Sequence, residues 1–455
     1  MQGEAPRRGW REAAAVYADR RMLVILAMGF SSGLPLLLTL GTLDYWMREV
    51  GVDLQTIGLF ALVGLPYSFK FLWAPVLDHA PLPPLTRLLG RRRGWALATQ
   101  LGLAAAIVAL GASDPAHAPL ATAAAALAVA FFSASQDVVV DAYRIEILGA
   151  DEQGAGAAAT QLGYRIGMLA SGAGALALAA ALPWSGVYAV MAALVGVGVV
   201  AALAAPEPAR GDAHAAVPAA VARGAAAAPA ASGLARIAAA LRVSVVEPLA
   251  DFVGRRGWVA ILLLALLYKF GDAVSGKMAN PFYVDMAFTK LEVASVTKVW
   301  SIVATMAGVA VGGALVAGLG TFRALLVGGV LQAATNLLYS LLAVTGHSVP
   351  MLAVAVGADS FTGGLASAAF VAYLSGLCNA RFTATQYALL TSLMAAGRTA
   401  LSSGSGWLAA ALGWAPFFAL TAALAIPGLL LLVWLMRLEG GDDASAAASR
   451  APAVS

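Results

Sequence analysis

The sequence predicts an all-α membrane protein of twelve transmembrane helices arranged as two six-helix halves. Three observations lead there. Of 455 residues, 61% are hydrophobic and 11% charged, against about 25% charged in a soluble domain. The apolar stretches reach the ~20 residues a helix needs to cross a bilayer, and they are too long and too seldom alternating to be barrel strands. They also fall as six stretches, a break, and six more.

In chain order the predicted spans are 22–47, 55–77, 94–112, 119–148, 154–181 and 185–205, then 257–283, 291–318, 323–344, 350–378, 384–411 and 415–437. Gly33-Leu-Pro35 in the first span is expected to bend that helix around a cavity, because proline removes one backbone donor. The domain plan is an N-terminal segment (1–21), an N-terminal six-helix bundle (22–205), a linker (206–256), a C-terminal six-helix bundle (257–437) and a tail (438–455) expected to be disordered. The break from Pro206 to Ser232 is rich in Ala and Pro with no periodic apolar face, and reads as a flexible linker. After it, Leu234, Ile237, Leu241 and Val245 recur at helical spacing, the pattern of a short amphipathic helix lying on the membrane surface.

Lys and Arg set the expected orientation. Nineteen of the 28 fall in segments on one side, including Arg7, Arg8, Arg11, Arg20 and Arg21, then Arg87, Arg91, Arg92 and Arg93, and the linker arginines. The opposite loops hold Arg48 and Lys290. The positive-inside rule then places both termini in the cytoplasm. The net charge of +4 is therefore mostly topological, and no basic patch with interleaved aromatics points to nucleic acid. The charged N-terminus and the long first span are not those of a cleavable signal peptide. The single Cys378 excludes an internal disulfide, and the four histidines (His79, His117, His214, His347) sit in loops or at span ends, so no metal or other cofactor is expected.

The chemistry-bearing residues are charges inside spans. Asp137 and Asp141 are four apart in the fourth span, hence on one helix face. A charge at mid-bilayer costs roughly 3 kcal/mol on insertion scales, so a chain keeps two on one stripe only where they face protein or water. The pair is the expected proton-coupling group; the bland alternative is an ion pair with Arg144. Lys269 and Asp272 in the seventh span, with Gly271 between them, form either a self-satisfied pair or one that a proton or an anionic substrate opens. Lys70 in the second span either snorkels or binds a carboxylate. Arg165, following Tyr164 in the fifth span, needs a partner, and Asp137 or Asp141 is the expected one. Asp359 and Arg398 pose the same question in the second half, and Asp44 at the outer end of the first span reads as interfacial. Tyr67, Trp73, Tyr164 and Trp300 offer flat faces for a sugar ring, though packing and lipid contact also account for aromatics there.

The halves echo each other faintly. Ala159-Thr-Gln161 opens the fifth span and Ala384-Thr-Gln386 the eleventh, and each span carries an arginine followed by a Gly-rich stretch. With the six-plus-six layout, this fits the two-fold repeat of the major facilitator superfamily, in which the substrate site lies near mid-membrane. The segment from Asp78 to Arg93 resembles that superfamily's acidic-then-basic loop after the second helix. That likeness gives Asp78, Arg91 and Arg92 a gating role; the plainer reading is that the arginines only fix topology.

An ordered set of motifs resembles one family, the AmpG-type muropeptide permeases. It includes Gly29-Phe-Ser-Ser-Gly-Leu-Pro35, Phe69-Lys-Phe-Leu-Trp73, Gly90-Arg-Arg-Arg-Gly-Trp95, Ser133-Ala-Ser-Gln-Asp-Val138, Gly163-Tyr-Arg165, Ala205-Pro-Glu-Pro208 and Leu267-Tyr-Lys269 with Gly271-Asp-Ala273. The likeness runs over residues 22–437. It implies a monomeric multi-pass permease of the bacterial inner membrane, driven by the proton gradient. Such permeases import anhydromuropeptides from periplasm to cytoplasm for wall recycling and, in some bacteria, take part in β-lactamase induction. By motif, Lys70, Tyr164, Arg165, Lys269 and Asp272 carry over as substrate-binding residues, with Asp137 and Asp141 for the proton. Two segments depart from the family pattern: Ser275-Gly-Lys277 adds a charge, and Asp359 stands where relatives tend to have an amide beside an acid.

Two rivals define what would overturn this reading. Acetyl-coenzyme A transporters are distant relatives, and so anionic a cargo calls for a denser set of cations. An enzyme or a nonconducting sensor would need a nucleophile set, a phosphate loop or a metal cluster, or would have no use for charges on several spans.

Overall fold

The computed structural model describes residues 19–149, 152–208, 253, 257–377 and 383–437. The amphipathic linker helix, the N-terminal segment before Asp19 and the tail lie outside the described residues. Within them the regular structure is helical, and ten helices are long and apolar enough to cross a membrane. The two remaining predicted spans are interrupted. The second runs over 54–79 as short α and 3-10 turns, Leu54–Leu59, Phe60–Gly64, Leu65–Phe69, Lys70–Leu72 and Ala74–His79. Pro66 and Pro75 each remove a backbone donor there. The eleventh is Thr383–Ser402 followed by Ser405–Leu412.

The chain divides into two compact units. One takes in residues through Val52 and from Val63 to the linker; the other takes in Asp53–Leu62 and the chain after the linker. Each unit has its own apolar core. In the first, Met22, Ile25, Met28, Val139 and Tyr143 pack together, and in the second Leu264, Tyr268, Leu325, Phe370 and Leu432 do.

Glycine decides which helices approach most closely. In the first unit Gly29, Gly33, Gly163 and Gly167 lie along the contact between the first span (Arg20–Glu49) and the fifth. A Cβ at Gly33 would overlap the carbonyl of Tyr164, and one at Gly163 the carbonyl of Leu26. In the second unit Gly308, Gly312 and Gly364 do the same between the eighth and tenth spans, against Phe361, Leu365 and Thr305 carbonyls. Small residues let helix backbones meet where lipid offers no hydrophobic drive for association. Gly33 therefore serves the seam. The first span breaks further on, at Leu40, where the helix Arg20–Thr39 gives way to Gly41–Glu49, five residues past Pro35.

A further repeat was not visible in the spans' apolar pattern. Trp184, at the start of the sixth span (Trp184–Ala204), donates its indole N–H to Glu49 at the end of the first span, 2.7 Å away. Trp414, at the start of the twelfth (Trp414–Arg437), donates to Asp285 at the end of the seventh (Trp258–Asp285), at 3.0 Å. The same clasp recurs at matching places in the two units, as expected of a duplicated six-helix plan.

The basic end of the first unit is stitched by carboxylates. Arg21 pairs with Asp19 at 2.7 Å and Glu152 at 2.8 Å. The Asp19 carboxyl, outside the span, is held below the usual carboxylate range by its hydrogen bonds from the Arg21 side chain and backbone. Glu207 accepts the backbone N–H groups of Arg92 (2.9 Å) and Arg93 (3.1 Å), so it caps the third span (Arg91–Gly111) from the far end of the sixth. Gly90 at φ 93° leaves room for that carboxylate, which a Cβ would displace. Glu207→Ala removes this cap, and a loss of about 1 kcal/mol is expected. The measurement is the apparent melting temperature of the purified protein, with unchanged melting as the contrary result.

Candidate substrate and proton site

The first unit brings Lys70 and Asp137 together. Lys70 stands on the 3-10 turn that interrupts the second span, and Asp137 on the continuous fourth span, Pro119–Ile147. The ammonium lies 3.9 Å from Asp137 Oδ2, with the side chains 35% and 16% exposed. Trp73 fixes the same approach: its indole N–H donates to Ser135 Oγ at 3.0 Å, and its ring packs on Phe131 at 5.1 Å between centroids. Asp137 Oδ1 is buried and has no hydrogen-bond partner among the described residues. The same holds for Tyr67 Oη, Ser32 Oγ, Ser133 Oγ and both side-chain polar atoms of Gln136. Orphaned polar groups on three spans of a membrane protein are costly unless something else meets them. Such a cluster can take a proton, water or a polar ligand.

The other sequence-predicted residues fall differently. Asp141 is one turn beyond Asp137, but its side chain is 55% exposed and lies 3.6 Å from Arg144. The two carboxylates thus share a stripe without sharing an environment. Tyr164 is half-buried on the fifth span, its backbone carbonyl against Gly33. Arg165 is exposed, and among the described residues neither Asp137 nor Asp141 pairs with it. The expected Arg165–carboxylate pair is therefore replaced. Asp137 goes to Lys70 because the broken second span brings the lysine's backbone beside the fourth.

Arg91 and Arg92 both reach Glu146 near the end of the fourth span, Arg91 at 3.4 Å and Arg92 Nε at 2.9 Å. Arg92 is almost wholly buried there. Asp78 falls on the helix Ala74–His79, and its side chain lies outside those described. Glu146 and Glu207, which tie down these arginines, were missed from sequence. The signal for Glu207 was the motif Ala205-Pro-Glu-Pro208, matched to relatives without a reason for the acid; Glu146 had none.

In the second unit the seventh span breaks at Tyr268 and Lys269. The helix Trp258–Leu267 ends, and Phe270–Asp285 begins with Lys269 as its N-cap. Tyr268 Oη, donating to Leu325 O at 2.8 Å, and the close approach of Gly428 to Leu267 hold the break. Lys269 Nζ lies 3.2 Å from Asp272 Oδ2, with the side chains 17% and 23% exposed. Asp272 in the first helical turn also meets the positive end of the helix dipole. Asp359 accepts from Gln332 Nε2 at 2.8 Å and from Thr335 Oγ1 at 3.4 Å. The amide beside this acid comes from the ninth span, Thr321–Thr345. Among the described residues no group of three or more His, Cys, Asp or Glu is placed to hold a metal ion.

These features define a multi-pass membrane transporter: helical spans in two units, with charged pairs inside the spans at helix breaks. The solved D-xylose–proton symporter has the same fold, with a TM-score of 0.65 at 10% identity over 91% of this chain and 97% of that one. The ten membrane-length helices and the interrupted second and eleventh spans, among the described residues, take the major facilitator fold. The profile described as "Acetyl-coenzyme A transporter 1" matches residues 21–118. The anhydromuropeptide permease of Escherichia coli K12 is 43% identical over 420 residues, 92% of this chain and 80% of that protein. The transporter AmpG 4 of Rickettsia conorii is 31% identical over 92% of this chain and 97% of its own length. The chain belongs to the AmpG family of anhydromuropeptide permeases. These relatives and structural neighbours are permeases and transporters, not enzymes.

Proposed function

We propose that this protein imports anhydromuropeptides across the bacterial inner membrane, from periplasm to cytoplasm, driven by the proton gradient. It acts as a monomer, with both termini in the cytoplasm. The observation that carries the proton coupling is the Lys70–Asp137 pair, with one carboxylate oxygen tied loosely to a cation and the other buried without a partner. A proton on Asp137 neutralises the carboxylate and frees Lys70 for a substrate carboxylate. Losing that proton restores the pair and weakens the hold on cargo. Coupling of this kind needs a charge that is poorly satisfied when ionised, and Asp137 meets that requirement better than Asp141, which has Arg144 and solvent. Alternating access then carries cargo and proton together. Imported fragments supply wall recycling and, in a host that has one, the induction of a β-lactamase.

A second reading is favoured by one observation, the profile match over residues 21–118: a coenzyme A thioester as cargo. The charges argue against it. Lys70 and Lys269 each face an acid, a balance that suits a zwitterionic glycopeptide better than a polyphosphate.

The test is uptake of labelled anhydromuropeptide into right-side-out vesicles, with and without an uncoupler. Accumulation that collapses with uncoupler is expected. Accumulation indifferent to uncoupler removes the proton, and no uptake by folded protein removes the cargo. Competition by acetyl-coenzyme A but not by muropeptide would install the second reading.

A further inference from the structure

We propose that Lys269 and Arg398 form an anion clamp for a carboxylate of the cargo, with Asp272 as the internal carboxylate that holds Lys269 between transport events. The proposal deepens the muropeptide reading by naming which part of the cargo is gripped and by what, and it rests on that reading for the cargo's identity.

Lys269 and Arg398 line one half-open cavity of about 270 Å³ within the second unit, bounded by its seventh, tenth and eleventh spans. Ser367 adds a hydroxyl, while Phe370, Leu374 and Met394 make the rest of the wall apolar. Arg398 sits well inside the eleventh span, in the helix Thr383–Ser402, yet its side chain is exposed. A guanidinium at that depth is tolerated only where it meets water, a ligand or a counter-charge. Among the described residues no carboxylate lies within ion-pair distance of it, and Asp272 acts on it only through space.

The break in the seventh span sets Lys269 at the cavity wall. Two full cations thus share a single carboxylate, Asp272, which leaves the pair short of one negative charge. Asp359 does not fill the gap, because Gln332 and Thr335 already hold it. A cargo carboxylate entering the cavity takes a fork–fork contact with Arg398 and competes with Asp272 for Lys269, whose bond at 3.2 Å and partial exposure leave it replaceable.

Two measurements on the full-length protein test this. The first does not depend on the cargo. Ser367→Cys is placed in a Cys378→Ser background, and the rates of modification by a sulfonate-bearing and a trimethylammonium-bearing methanethiosulfonate are compared, each normalised to a free thiol. An excess positive charge at this range favours the anionic reagent by about tenfold, and the preference is expected to vanish in Lys269→Gln/Arg398→Gln. Equal rates before those changes overturn the clamp.

The second compares binding of an anhydromuropeptide with binding of the same molecule carrying amidated carboxylates. Arg398→Gln is expected to weaken the free-acid form by about tenfold or more and to leave the amidated form unchanged, with Arg398→Lys recovering part of the loss. Equal weakening of both forms makes Arg398 merely structural and overturns the proposal. A parent protein that prefers the anionic reagent yet binds neither muropeptide removes the cargo reading alone and leaves a carboxylate clamp for another cargo.

Discussion

Asp137→Asn is expected to abolish accumulation of cargo against its gradient while leaving the protein folded and able to exchange cargo across the membrane. Asparagine keeps the shape of the side chain and cannot carry the proton. Net uphill transport must cross the membrane once with the proton and return without it; exchange of labelled for unlabelled cargo skips the empty return. The measurement is therefore a pair: uncoupler-sensitive uptake and counterflow, in the same vesicles. Retained uphill uptake sinks the role given to Asp137. Loss of counterflow as well makes Asp137 a structural or cargo-binding group and not the proton carrier.

The stability side of this variant is decided by which partner is left alone. Lys70 is 35% exposed, so a lysine without its carboxylate is not sealed inside the protein, and loss of such a pair costs roughly 1 kcal/mol or less. The reverse change is harsher. Lys70→Gln leaves a carboxylate that is 16% exposed and already has one orphaned oxygen, and breaking a buried pair from that side costs about 3–5 kcal/mol unless the carboxyl takes up a proton. Lys70→Gln protein is thus expected to melt earlier than Asp137→Asn protein, although both lose the same contact.

The spans themselves were legible because a bilayer demands one thing of the chain, about 20 apolar residues that bond their own backbone. Ten such helices stand where the apolar stretches put them. The second span was legible as apolar but not as broken, since Pro66 and Pro75 act on the backbone without changing hydropathy. The charged residues were legible as a set, because each is expensive in a span. Their pairing was not. Lys70 finds Asp137 across 67 positions of sequence, and only the approach of two helices reveals that Arg165 does not. Asp141 looked equivalent to Asp137 by helical spacing, but spacing reports a face and not how deep the neighbouring helices cover it. Gly33 was read as part of a bend, because Pro35 lies two residues on. Its work is contact with the Tyr164 carbonyl, on a helix more than a hundred residues away.

Close backbone approaches occur on charged and uncharged spans alike: a Cβ at Gly406 would meet Leu54 O between the eleventh and second spans, and one at Gly271 would meet Thr421 O between the seventh and twelfth. Backbone-to-backbone glycine contacts join the first span to the fifth and the eighth to the tenth. The charged residues Lys70 and Asp137 are on the second and fourth spans, and Lys269, Asp272 and Arg398 on the seventh and eleventh. Tightly packed helices resist small displacements, so each seam constrains the helices it joins. The second and seventh spans, which carry the two lysines, are also those broken beside them. Breaks of this kind permit hinge motion without tearing a regular helix.

If the seams are the fixed parts, a single methyl group should separate seam glycines from ordinary ones. Gly33→Ala puts a Cβ into the Tyr164 carbonyl, and Gly308→Ala puts one into the Phe361 carbonyl. The obstacle in each case is backbone, which has no rotamer to escape into, so the helices must part along their length. A cost of about 3 kcal/mol or more is expected at each site, at the upper end of overpacking effects. The controls lie nearby: a Cβ at Gly313, on the same span as Gly308, and one at Gly196, on the sixth span, meet nothing within 4 Å. There alanine relieves the entropic cost of glycine in a helix and is expected to be neutral or to stabilise by up to about 1 kcal/mol. The apparent melting temperature of the four purified variants decides it. Early melting of the seam pair with unchanged controls is the expected pattern. Seam variants that melt with the controls would mean that the first and fifth spans slide past each other, and that the fixed frame of the first unit has to be sought elsewhere.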